Sequence, residues 1–113
     1  MTINEYQKLA LRTDPTAIES DELVRIIHGI MGLNGESGEA IDIVKKHLFQ
    51  GHEFDKVHFA KELGDIAWYL ATTADAIGYD LETVLQMNID KLKERYPYGF
   101  DSSMSINRKA GDI

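Results

Sequence analysis

The stretch from Ser20 to Gln50, SDELVRIIHGIMGLNGESGEAIDIVKKHLFQ, decides the fold. At 100° per residue, Leu23, Ile26, Ile27, Ile30, Ile41, Val44 and Leu48 fall on one stripe, the mark of an amphipathic helix. Ser20 or Asp21 offers an N-cap, and the helical pattern runs to about Phe49. Gly29, Gly32, Gly35 and Gly38 interrupt it. Each costs up to ~1 kcal/mol relative to alanine, so a kink or a helix in two parts is expected. The face opposite the stripe carries Glu36 and Glu39 beside Gly29, Gly32, Gly35 and Ile43. Small residues there let a second helix or a ligand approach closely.

Outward from this segment the chain stays helical between its two prolines, Pro15 and Pro97. A short helix is expected from about Thr2 to Arg12, broken by Thr13-Asp14-Pro15-Thr16. Gln50-Gly51-His52 reads as a turn, after which Asp55 caps a helix to about Ile77, closed by Gly78. Its main stripe is Phe59, Leu63, Ile66, Leu70, Ala74 and Ile77, with Glu62, Asp65 and Tyr69 along the border. Trp68 and Tyr69 are placed on opposite sides of it. Asp80 caps a further helix with Leu81, Val84, Leu85, Ile89 and Leu92 on its buried side, ending before Pro97. The fold class is therefore all-α, an antiparallel bundle of about four helices. Residues 1–97 form one helical domain, and residues 98–113 read as an extended or partly disordered arm. A chain of 113 residues buries roughly two-thirds of its unfolded surface, so completing the bundle by oligomerisation is a ready way to bury more.

Composition closes off several function classes. Nineteen acidic against 12 basic residues give a net charge of −7, which repels nucleic-acid backbone and anionic lipid alike. Neither nucleic acid nor membrane is an expected partner. Without cysteine there are no disulfides, thiolate metal sites or cysteine nucleophiles. No apolar run has the length of a membrane span or the character of a signal peptide, so a cytoplasmic location is expected.

The chemistry concentrates in two short patterns, Glu36-Ser37-Gly38-Glu39 and Glu62-Leu63-Gly64-Asp65. Carboxylates three apart project about 60° apart on a helix, so each pair points to one side. Two pairs on antiparallel neighbours can meet as a cluster of four, which persists only with counter-charge. Hard oxygen donors without histidine or cysteine suit Mg²⁺, or Mn²⁺. On the last long helix, Asn88, Lys91 and Arg95 form one row, a cationic strip suited to phosphate in an otherwise acidic chain. A solvated face is the plain alternative for either feature. His28, His47, His52 and His58 lack metal-ligand spacing to one another and read as surface or boundary residues. A carboxylate-bridged di-iron bundle would need Glu-x-x-His pairs, which the sequence lacks.

Three stretches together resemble the MazG-like family of the all-α nucleoside triphosphate pyrophosphohydrolase superfamily. They are Gly32 to Asp42 (GLNGESGEAID), Lys61 to Tyr69 (KELGDIAWY) and Asn88 to Pro97 (NIDKLKERYP). The resemblance implies that Glu36, Glu39, Glu62 and Asp65 hold Mg²⁺. It also implies that Lys91 and Arg95 contact the triphosphate, with Asn88 and Tyr96 near the nucleotide; Tyr69, bordering the acids, is a candidate contact to base or sugar. It further implies a homodimer or homotetramer with pockets built between subunits. Relatives often carry an extra acid beside the first pair, where Gly35 and Ala40 stand here, and some carry a lysine where His58 stands. The expected activity is hydrolysis of a nucleoside triphosphate to monophosphate and pyrophosphate. The alternative is a non-catalytic helical module with a structural cation site.

Overall fold

Side-chain caps set where the helices begin. In the computed structural model, which describes residues 1–18 and 20–113, α1 spans Ile3–Leu11, α2 Glu22–Gln50, α3 Lys56–Ala76, α4 Leu81–Arg95 and α5 Ser102–Ile106. Thr2 opens α1 with a reciprocal box, its hydroxyl taking the Glu5 N–H while the Glu5 carboxylate takes the Thr2 N–H. Asp21 caps α2 through the Val24 N–H, and Asp55 caps α3 through the His58 N–H. Gly51 ends α2 in the left-handed conformation at φ 74°, a position only glycine fills cheaply. Of the two expectations, a kink or a helix in two parts, the division does not occur: α2 is one continuous helix through its glycines.

The chain forms two compact units, Met1–Leu81 and Glu82–Ile113. In the first, α3 packs along α2 on one side and against α1 on another. The α2–α3 pairing is antiparallel: Gly29 meets Thr73 and Gly32 meets Tyr69. Buried Gln7 fastens α1 by donating to the Ala71 and Tyr79 carbonyls and accepting from the Leu81 N–H at the start of α4. Trp68 donates from its indole to the Ala10 carbonyl and the Thr13 hydroxyl. Arg25 pairs with Asp75 at 2.8 Å and with buried Asp14 at 3.6 Å.

The face of α2 turned inward is not the one its periodicity favours. Leu23, Ile27, Ile30, Ile41 and Leu48 are exposed, while Gly29 and Ala40 are buried. On α3, Leu63, Leu70 and Ile77 are likewise exposed, and Ala71, Thr72 and Ala74 are buried. Close approach of two backbones selects small residues, and the large apolar side chains are left on the outside of the single chain. Periodicity reveals that a face is apolar but not what covers it.

In the second unit, Gly99 at φ 94° follows Pro97, and Asp101 caps the single turn of α5 through the Met104 N–H. The Asp112 N–H then closes a turn onto the Lys109 carbonyl, with Gly111 at φ 86°. Residues 98–113, expected as an extended or partly disordered arm, contain a short helix and a turn that brings Asp112 onto Arg95. Among the described residues, no helix is long and apolar enough to cross a membrane.

Candidate metal and phosphate site

The small-residue face of α2 continues from Gly29 and Gly32 to Glu36 and Ala40, one helical row at intervals of three and four. The facing row of α3 continues from Thr73 and Tyr69 to Asp65 and Glu62. The acids therefore lie in the α2–α3 seam, where the sequence placed those of α3 at the border of a stripe. One carboxylate oxygen each from Glu36, Glu62 and Asp65 lie within 4.8 Å of one another. Glu39, expected as the fourth member, falls outside that group; it is exposed and lines a shallow hollow with Asp42, His52, Glu53 and His58.

Packing three acids together has an electrostatic cost that shows on Glu36. Desolvation pushes its carboxyl above the ordinary range, helped by a hydrogen bond with Glu62 and the charges of Asp65, Glu62 and Glu39. Ionised carboxylates this close repel one another, and a proton or a cation between them relieves that repulsion. Glu62 adds a second sign of the same need. Its Oε1 meets His58 Nε2 at 3.2 Å, while its buried Oε2 has no partner among the described residues. An unpaired buried carboxylate oxygen beside two further carboxylates fits a hard divalent cation.

Two neighbours of the acids carried no such role in the sequence. His58, read as a surface or boundary residue, touches Glu62 from one turn away, at a spacing visible in the sequence. Tyr6 comes from α1, and burial together with the charge of Asp65 raises its phenol above the usual value. Nothing in the sequence links Tyr6 to Asp65, because only α1–α3 packing joins them. Tyr69 lies across Gly32, so close that an added Cβ would overlap its ring. Its ring also meets Trp68 edge-on at 4.8 Å and His28 at 5.8 Å, so Trp68 and Tyr69 share a cluster rather than opposite sides of α3.

The residues expected near phosphate, Asn88, Lys91, Arg95 and Tyr96, belong to the second unit. Asn88 and Lys91 are exposed on α4. Arg95 is engaged: its Nε and Nη2 donate to the two oxygens of Asp112 at 2.8 and 2.7 Å. Its guanidinium also lies 5.9 Å from the Tyr96 ring centre. Lys91 and Arg95 border a cavity of about 440 Å³ that Arg108 and Asp112 also line. This side chain of Asp112 went unnoticed in the sequence, since a carboxylate 17 residues away signals no pairing.

An all-helical chain with an acidic seam of this kind defines a class. A family model described as the MazG nucleotide pyrophosphohydrolase domain matches residues 15–100, and the chain belongs to that family. It is also similar to the Gene 37 protein of Mycobacterium phage L5, with 33% identity over 114 residues covering 96% of this chain and 100% of that protein. No solved structure matches the chain.

Proposed function

We propose that the chain is a Mg²⁺-dependent nucleoside triphosphate pyrophosphohydrolase, cleaving between the α and β phosphates. The observation that carries this reading is the convergence of Glu36, Glu62 and Asp65 around an unpartnered carboxylate oxygen. Glu36, Glu62 and Asp65 would hold Mg²⁺ (Mn²⁺ being chemically acceptable), with Glu39 available beside them. Bound there, the ion supplies charge that offsets the phosphate oxygens and acidifies water toward a pKa of ~7.

The chain's own groups do the rest. His58 orients Glu62 by holding one of its oxygens. An oxygen of Glu36 or Glu39 left free of the ion would orient the attacking water, whose proton passes to that carboxylate or to solvent. Water adds to the α-phosphorus, the bond to the bridging oxygen breaks, and pyrophosphate leaves with the electron pair. Lys91 and Arg95, on the second unit, are the cations suited to contact a triphosphate.

Self-association belongs to the same reading. Leu23, Ile27, Ile30, Ile41 and Leu48 on α2 form an exposed apolar row too extensive for a solitary helical hairpin, and a homodimer or homotetramer would cover it.

The test is incubation of purified protein with a panel of nucleoside triphosphates, with Mg²⁺ and with chelator. Stoichiometric pyrophosphate and monophosphate, formed only with the metal, are expected. Orthophosphate as the first product, or no product from any nucleotide, would sink the reading.

A further inference from the structure

Arg95 already holds an oxyanion, and the oxyanion comes from the chain itself. Asp112 accepts two parallel hydrogen bonds from the guanidinium, the geometry by which arginine takes a phosphate. Arg95 and Asp112 are only 9% and 17% exposed at their side chains, so the pair is shielded rather than loosely solvated. Three cations, Arg95 foremost and then Arg108 and Lys91, lower the proton affinity of this one carboxylate. The aim of Asp112 is built in. Its N–H bonds to the Lys109 carbonyl, and Gly111 supplies the positive φ that a turn of this kind needs at its third residue. The remaining hydrogen bonds of the segment among the described residues are local, from the Asn107 N–H and side-chain amide back to Ser103 one turn earlier in α5.

We propose that Asp112 is an internal competitor for the phosphate seat of Arg95 and Lys91, so that residues 107–113 must swing away before a polyphosphate binds there. This rests on the reading of Lys91 and Arg95 as phosphate contacts. Tethering makes a single carboxylate effective at high local concentration, whereas a polyphosphate brings several charges at once, so displacement is feasible and graded. The segment then discriminates against weakly charged anions, which cannot dislodge Asp112.

Calorimetric titration of the full chain with inorganic tripolyphosphate, without divalent metal, tests this. Asp112→Asn keeps the shape and removes the charge, and should tighten binding on the order of tenfold. Gly111→Val, which disfavours the turn and leaves every charge in place, should shift affinity in the same direction. Asp112→Glu should stay near the parent. Arg95→Gln should weaken binding both alone and combined with Asp112→Asn. If Arg95→Gln weakens binding but Asp112→Asn leaves it unchanged or weaker, the competitor role is overturned and the phosphate reading survives. If Arg95→Gln has no effect in either background, the phosphate reading fails and the competitor role falls with it.

Discussion

Glu36 holds its proton more tightly in the folded chain than in an unfolded one, because burial and its acidic neighbours all penalise its charged form. The folded state therefore binds more protons across the interval from the ordinary carboxylate value up to the raised one, and stability falls as pH rises through it. In chelator, thermal melting should show this decline, and Glu36→Gln should flatten it; an unchanged slope in the variant would mean the acids are not coupled. Mg²⁺ should restore stability most at the upper end of the interval, where the cluster is ionised. Glu62→Gln and Asp65→Asn should each lower Mg²⁺-dependent turnover by at least ~100-fold with helicity retained by circular dichroism. His58→Ala should cost about 10- to 100-fold in metal affinity, as loss of a partner to a ligand does. Glu39→Gln, outside the three-oxygen group, should cost less than either ligand substitution. At this scale the acids were legible because spacing on a helix fixes direction. His58 was legible in spacing but not in role, and Tyr6 was not legible at all.

Glycines that resemble one another in the sequence differ in the α2 helix. A Cβ on Gly32 would overlap the Tyr69 ring, whereas Gly35 has nothing within 4 Å. Gly32→Ala should therefore destabilise by ~1–3 kcal/mol despite the gain in helix propensity. Gly35→Ala should stabilise by up to ~1 kcal/mol. Urea denaturation of the two variants reads both signs, and equal effects would contradict the close α2–α3 packing. Helix ends were legible from Asp21, Gly51, Asp55 and Gly78, since caps act locally. The continuity of α2 was not, because Gly29 and Gly32 pack against Thr73 and Tyr69 of α3, contacts that no local signal announces.

For the whole molecule the decisive quantity is how little a single chain buries. Its buried apolar residues are Ala10, Ala40, Ala71, Ala74 and Leu81, with no large side chain fully enclosed among the described residues. Light scattering should give a mass of at least twice the monomer. Ile27→Glu should lower that mass and the melting temperature together; a stable monomer in the parent would remove self-association from the account. The amino-acid order alone settled the helical class, four of the helix boundaries and the two acidic pairs, since caps, periodicity and i,i+3 spacing are properties of neighbours in the chain. Which face of α2 turns inward, the separation of Glu39 from the group of Glu36, Glu62 and Asp65, and the capture of Arg95 by Asp112 were decided only in three dimensions. Each depends on how closely two separate segments can approach, and that is set by the volumes and charges on both sides of the contact at once.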